Sequence, residues 1–470
     1  MGTRAGAARR RDDAGEWGVR RRVRRHRARG GRRADRKPAR VGADRARPRR
    51  CALHPAIRRP DDAVQAGAVA DAGPVQRAAD RQPDALQRAP ARAPPSPAEQ
   101  GRGARVRAQA EPGVKVHQIL SGAGPHDAIT TEARAFRACF RQWGWDGGDY
   151  ATHVSPGAGG FLPLRRLRSR AEDLLLLHHS AGARKLGELL ALPNRKLLLY
   201  HNVTPAWWLW EHAPVTAVHC AIGREQLPKL VAGVELAAAD SAFNAAELEL
   251  LGASRTEVIP LLVDVGRLGA PATDVEGGPP TPGVDGAPAP PTVIFVGRLS
   301  PHKRQDEVIR AFARYRAARA PNARLMLVGD PITKGYAELL RRLADALAPG
   351  AVTIESGLSD DELGDRYRSA DVFLCLSEHE GFCVPLLEAF HFGLPVIARP
   401  AGAVPETVGD AALLIDDRDL AVVSELLQIA LTDGQMRAEL RRRGKRRLAA
   451  YAPELVAARL RAAVEAAAGW

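Results

Sequence analysis

The stretch DVFLCLSEHEGFCVPLLEAFHFGLPVIARP, residues 371–400, decides the fold. DVFLCLS (371–377) is a continuous apolar run of the kind that forms a strand buried on both faces. Pro385 suits the first turn of a helix, where its missing N–H costs nothing. LLEAFHFG carries that helix to a stop at Gly393, and Pro395 opens the next strand, PVIAR (395–399). Strand, turn, helix and strand in this order make a parallel α/β unit, and such sheets bind ligands at the carboxyl ends of their strands. Glu380 and Glu388 flank the turn, eight residues apart, with Gly381 and Phe382 between them. The free N–H groups of Gly381 to Val384 offer an anion or hydroxyl site at the helix N-terminus. Carboxylates on either side of that mouth suit paired hydroxyls, as on ribose or a sugar ring. A helix-capping role explains one of these glutamates but not both.

Outward from this unit the pattern repeats. TVIFVG (292–297), RLMLVG (324–329) and AVTIES (351–356) are further strands, separated by helical stretches. Before them, GAPATDVEGGPPTPGVDGAPAPP (269–291) is rich in Pro and Gly without apolar periodicity and reads as a linker. On its other side, VKVHQIL (114–120) runs into SGAGPHDAI and a helical pattern, the opening of another βα unit. DLLLLHH (173–179), KLLLYHN (196–202) and EVIPLLVD (257–264) are expected strands, the last preceded by LAAADSAFNAAELELLG. PELVAARLRAAVEAAAGW closes the chain as a helix. The expected architecture is α/β, two Rossmann-like domains facing a cleft. Residues 113–268 form the N-terminal domain, 269–291 the linker, 292–450 the C-terminal domain and 451–470 the final helix.

Residues 1–112 differ in kind. They hold 29 Lys+Arg against 12 Asp+Glu, a net charge of +17, whereas the other 358 residues hold 40 against 42. The excess of +15 over the whole chain therefore belongs to this Arg/Ala/Pro-rich segment. It lacks apolar periodicity and cannot offset its ordering entropy by burial, so it is expected to be disordered. One reading is a basic arm for nucleic acid or anionic lipid; the other is an extension translated from upstream of the true start. Aromatic residues for base stacking are scarce in it, which favours the second, and no nucleic-acid partner is expected. No apolar run follows its arginines, so an export signal is not expected. The five cysteines, Cys51, Cys139, Cys220, Cys375 and Cys383, form no C-x-x-C pair, and nothing reaches the length of a membrane span. A reducing cytoplasm fits.

VGRLSPHK places Arg298 and Lys303 just past the strand TVIFVG, two cations on one loop where a diphosphate would be held. A solvated loop with ordinary surface charges explains them equally well on this feature alone. Taken with E-G-F-x-x-P-x-x-E about 80 residues later and G-x-P-V-I-A after it, the chain resembles the retaining glycosyltransferases of family 4 (group 1), of GT-B fold. The resemblance covers roughly residues 114 to 460. It implies that Arg298 and Lys303 hold the donor's diphosphate, that Glu388 contacts ribose hydroxyls and that Glu380 contacts hydroxyls of the transferred sugar. It puts the backbone of Gly381, Phe382 and Cys383 against sugar and phosphate. The family usually has a second glycine where this chain has Cys383. YHNVTP is similar to a strand-end histidine motif and places His201 beside the sugar. Gly122 and Gly124 would face the donor phosphates and acceptor, with Gly357 and Leu358 in ESGLSDDEL by the base. His178 and His179, at another strand end, read mainly as structural.

The activity so implied is transfer of a hexosyl unit, with mannose favoured, from a nucleoside diphosphate sugar to a glycan or lipid-linked hydroxyl with the α configuration kept. That places the chain in polysaccharide or glycoconjugate biosynthesis. The catalytic set is Glu380, His201, Arg298 and Lys303. No carboxylate nucleophile is evident, so the leaving phosphate would accept the acceptor's proton in a front-face route. Arg298, Lys303 and helix dipoles neutralise the leaving group, so no metal and no further cofactor is expected. The Asp417-x-Asp419 pair in LLIDDRD reads as a surface turn. Trp207, Trp208 and Trp210 pack between domains or meet a sugar, a lipid acceptor or the cytoplasmic face of a membrane. Two rivals remain: a sugar-nucleotide epimerase of the same fold, and a binding protein led by the basic arm.

Overall fold

The computed structural model describes residues 115–125, 127–271 and 289–470. The basic segment 1–112 and residues 272–288 of the expected linker lie outside the described residues.

Two parallel sheets carry the described chain. The first contains β1 (Val116–Leu120), β2 (Asp149–Ala151), β3 (Leu162–Pro163), β4 (Leu174–His179), β5 (Lys196–Tyr200), β6 (Leu236–Ala239) and β7 (Thr256–Val258). The second contains β8 (Thr292–Val296), β9 (Arg324–Val328), β10 (Val352–Glu355), β11 (Val372–Cys375), β12 (Val396–Ala398) and β13 (Leu413–Leu414). Their orders are β3-β2-β1-β4-β5-β6-β7 and β10-β9-β8-β11-β12-β13. The order reverses between β1 and β4 in one sheet and between β8 and β11 in the other. Those are the switch points beside which ligands bind in doubly wound sheets.

Why these runs form strands is visible in their burial. LLLLHH of β4 and KLLLY of β5 are buried at every position, because helices cover both faces of each sheet. The expected strands at 114–120, 173–179, 196–202, 292–297, 324–329, 351–356, 371–377 and 395–399 all contain an observed one. EVIPLLVD does not form the strand expected of it: only Thr256–Val258 pair. Pro260 has no N–H for the ladder. From there the chain leaves the first sheet, with Ile259 in its core and Leu261 and Leu268 in the core under the second. β2 and β3 have no sequence signal of their own; the first is a three-residue strand and the second a two-residue one.

The last helix, Pro453–Ala468, does not stay with the half that precedes it. Val456, Leu460 and Val464 recur every fourth residue on one face, and that face joins the core of the first half with Leu174 and Leu197 of the sheet and Phe136 of the helix Ala128–Gln142. Arg195 Nε fixes its end by donating to Ala467 O at 2.7 Å. Burial of each such apolar side chain contributes about 1.5–3 kcal/mol.

Candidate functional site

The loops after β8 and β11 flank the switch point of the second sheet, and they bring the two halves of the sequence motif together. Lys303 follows β8 in a short helical turn, Pro301–Lys303. Its Nζ donates to Glu380 Oε2 at 2.5 Å, with the carboxylate buried and the lysine side chain 18% exposed. Burial opposes the lysine's charge, but Glu380 outweighs it and the pKa of Lys303 is raised. Arg298, on the same loop, is exposed and makes no ion pair among the described residues. Glu388 is one turn into the helix Val384–His391 and is buried. Tyr367 Oη donates to its Oε2 at 2.7 Å and Arg267 Nη2 to its Oε1 at 2.5 Å. Burial raises the pKa of Glu388, against the pull of Arg267. Each carboxylate oxygen keeps a lone pair for a further donor.

Arg267 and Tyr367 were not legible as site residues. Arg267 belongs to Val265–Leu268, ahead of the linker, and its other nitrogen pairs with Asp360. Arg368 Nη1 clamps this segment by donating to Leu268 O at 3.2 Å and Ala270 O at 3.1 Å. Gly357 is exposed at φ +71, with open space where a Cβ would sit, and Leu358 packs on the core of the second half. Both lie in the loop after β10.

Gly381 is where the halves touch. Ser241 Oγ and Asn244 Nδ2, from the first half, donate to its carbonyl at 2.9 and 3.1 Å. A Cβ on Gly381 would lie 2.8 Å from that of Asn202 and 3.3 Å from the His201 carbonyl oxygen, so only glycine allows this approach. Ser241 also caps the helix Ala242–Leu250. The free N–H groups of that helix meet Glu406 of the second half, whose carboxylate accepts from Ala242 N at 2.8 Å. His379 Nε2 donates to Asn202 Oδ1 at 2.8 Å; burial, then Arg224 and Lys303, hold this histidine neutral with a pKa of about 3. Gly402 (φ +59) is likewise obligatory, since a Cβ there would strike Glu380 O. Phe382 and Cys383 are buried in the turn.

Asn202, Arg304 and Cys383 are the non-glycine residues with positive φ among those described, at +63, +52 and +74. All three adjoin this site, one after His201, one after Lys303 and one in the Gly381 turn. Strained backbone collects where function over-determines geometry.

The first half contributes a buried polar chain. His201 follows β5 with its side chain inside the domain: Nδ1 lies 2.9 Å from Asp240 Oδ1 and 3.6 Å from Glu132 Oε2. Its Nε2 is 2.9 Å from His178 Nδ1, and His178 Nε2 is 3.1 Å from Gln118 Oε1. Burial pulls the pKa of His201 down, but Asp240 and Glu132 more than offset it and raise it to about 9. Burial pushes Glu132 up to about 8. The His201 ring is thus part of the interior, and its carbonyl is what faces the Gly381 turn. Gly122 and Gly124 occupy the loop after β1; Gly124 N donates to Thr130 Oγ1 at 3.0 Å, and Gly122 has nothing closer than 3.9 Å to its missing Cβ. His179 Nε2 pairs with Gly223 O at 2.9 Å. Asp419 caps the helix Leu420–Thr432, and Asp417 accepts from Asp419 N. Trp207 and Trp210 are half exposed, and Trp208 packs on the first core.

Two doubly wound parallel halves meeting at their strand ends, with Lys303 and two buried glutamates at the switch point, are the GT-B arrangement. Residues 285–447 match the family model of Glycosyl transferases group 1, which spans Arg298, Lys303, Glu380 and Glu388. The second half is thus a glycosyltransferase group 1 domain. Among curated proteins the chain is 36% identical over 153 residues to the GDP-mannose-dependent alpha-(1-6)-phosphatidylinositol monomannoside mannosyltransferase of Mycobacterium tuberculosis; the match takes in 30% of this chain and 39% of that one. It is 35% identical over 144 residues to the D-inositol 3-phosphate glycosyltransferase of Mycolicibacterium smegmatis, over 29% of this chain and 32% of that one. The matched part is therefore less than half of either relative. Among solved structures, Anabaena HepE in complex with UDP and glucose is similar in fold, with TM-score 0.58 and 15% identity over 75% of this chain and 99% of that one. Sucrose-phosphate synthase from Thermosynechococcus elongatus gives TM-score 0.56 and 19% identity over 74% and 98%. Among the described residues, no helix is long and apolar enough to cross a membrane.

Proposed function

We propose that the chain is a retaining, family 4-like hexosyltransferase that moves mannose from a nucleoside diphosphate donor to a glycan or lipid-linked hydroxyl. The observation that carries this reading is the pairing of Lys303 with Glu380 at the switch point between β8 and β11, with Glu388 one turn into the helix Val384–His391 that follows. The GDP-mannose-dependent relative supports mannose as the sugar, and its phosphatidylinositol monomannoside substrate supports a lipid-linked acceptor. Work on such an acceptor would place the protein in the cytoplasm, in peripheral contact with the membrane face.

In this reading the chemistry is electrostatic. Breaking the glycosidic bond builds negative charge on the β-phosphate, which Lys303, Arg298 and the Gly381 turn stabilise without a metal or other cofactor. Glu388 holds the ribose diol and Glu380 the sugar hydroxyls, with Gly357 and Leu358 by the base. The His201 carbonyl, beside Gly381, stabilises positive charge developing on the sugar. The leaving phosphate takes the proton of the incoming hydroxyl, and the product keeps the α configuration.

The test is thermal unfolding of the full chain with GDP, UDP, ADP and dTDP in turn, followed by transfer from the sugar form of whichever binds. A ligand at a hundred times its dissociation constant adds about 2.7 kcal/mol. A shift with GDP that disappears in Lys303→Ala is the expected result; no shift with any of the four overturns the reading.

A further inference from the structure

We propose that Cys375 and Cys383 form an oxidisable dithiol at the Gly381 turn, which a peroxide closes to a disulfide. Cys375 ends β11 and Cys383 precedes the helix Val384–His391, so the turn between them folds the chain back on itself. The two sulfurs and a Glu380 carboxylate oxygen all lie within 4.8 Å of one another, and both cysteines are free. A disulfide needs its sulfurs at about 2.05 Å, a closure that side-chain rotation from neighbouring positions can supply.

A second observation singles out Cys383. It sits at φ +74, a left-handed backbone that glycine adopts freely and a residue with a Cβ does not. A thiol kept at a strained position, with another thiol beside it, points to use of the sulfur. The surroundings suit thiol chemistry as well. Each thiol is the first cause of the other's shift, lowering the pKa of Cys375 and raising that of Cys383. Ser377 Oγ, 3.3 Å from Cys375 Sγ, supports the same charge. Both cysteines are buried, at 1% and 8% exposure, so the oxidant has to be a peroxide small enough to enter the turn; Lys303, on Glu380, is partly exposed. That ammonium also disfavours a metal ion on Cys375, Glu380 and Cys383.

The Cys375 thiolate attacks one peroxide oxygen, the O–O bond breaks, and the departing oxygen takes a proton to leave as water or an alcohol. Cys375 is then a sulfenic acid. Cys383 sulfur attacks it, the S–O bond breaks, and water leaves with the Cys383 proton. Two thiols lose two electrons and the peroxide gains them. Glu380 lies inside the closed loop, so the disulfide draws the turn out of its present contact with Lys303.

The experiment treats the full chain with hydrogen peroxide, blocks residual thiols with iodoacetamide and digests with trypsin without reduction. Both cysteines fall in one tryptic peptide, 369–418, uncut at Arg399–Pro400. The expected peptide has lost two hydrogens, carries no blocking group and regains both thiols with dithiothreitol. Cys383→Gly and, separately, Cys375→Ser block the change while circular dichroism stays that of the parent chain. Recovery of both cysteines alkylated, or of either as a separate sulfinic or sulfonic acid, overturns the proposal. The effect on the turn rests on the transferase reading and is scored apart. The oxidised chain should bind the nucleoside diphosphate selected above at least tenfold more weakly, reversibly. Unchanged affinity in the oxidised chain overturns that effect alone, whereas an unoxidised chain that binds none of the four nucleotides counts against the transferase reading.

Discussion

In the second half of the molecule, Lys303 and Glu380 meet at the strand ends with part of the lysine in solvent. In the first half, His201, Asp240 and Glu132 meet at the equivalent place with their side chains shut inside the domain. Both are charge clusters above parallel sheets, but burial divides their work. A cation that solvent reaches can exchange its carboxylate for a ligand's phosphate. A buried imidazolium beside Asp240 and Glu132 is bound to them, because a buried polar group left without its partner is costly in a low dielectric. Strand-end position marks where to look, and exposure separates a group free to meet a ligand from one committed to its neighbours.

The sharpest way to break this contrast is His201→Ala, which leaves Asp240 and Glu132 without their cation. A loss of about 3–5 kcal/mol is expected in urea unfolding; a loss near zero would mean that the cluster bears no charge. Lys303→Ala should lower sugar transfer about 100-fold or more, and should cost less stability than His201→Ala because the lysine is partly in solvent. Arg267→Gln should weaken nucleotide binding about tenfold, since one charge-assisted bond to Glu388 becomes a neutral one. Lysine at position 267 should restore part of that, and calorimetry with the selected nucleoside diphosphate measures both.

The pH dependence belongs to the first half. His201 is raised from 6.5 to about 9 and Glu132 from 4.5 to about 8. Both bind more protons folded than unfolded. Their stabilising contributions are complete below the unfolded pKa values and lost as pH rises through the folded ones. The melting temperature should therefore fall by a few degrees as pH rises from about 5 to about 9, and Glu132→Gln should flatten the part of that slope below about pH 8. The smallest effect expected is that of Ser241→Ala, about 1 kcal/mol for a lost helix cap. Limited proteolysis of that variant would show whether its bond to Gly381 also holds the halves together.

The sequence made the second half readable because its site is local. Glu380, Gly381, Pro385 and Glu388 fall within one turn and one helix, and strands buried on both faces announce themselves as unbroken apolar runs. The first half's site is not local. Glu132 comes from the helix after β1, His201 from the end of β5 and Asp240 from the end of β6, and nothing in YHNVTP signals carboxylates so far away in the chain. Arg267 reaches Glu388 across 121 residues for the same reason. Edge strands such as β2 and β3 owe their form to a neighbour's free ladder rather than to their own side chains. EVIPLLVD showed the converse: apolar content was sufficient for burial, and Pro260 prevented pairing. The left-handed backbone of Cys383 is a property of the folded turn, although the glycine usual at that place in the family was a hint of it.

The helix Pro453–Ala468 has a consequence for how the protein comes into being. It completes the core of the first sheet, yet it is encoded after every strand of the second. On the ribosome the second half can therefore close its core while the first still exposes Phe136, Leu174 and Leu197 to the surrounding water. The half that is made first is the half that is finished last.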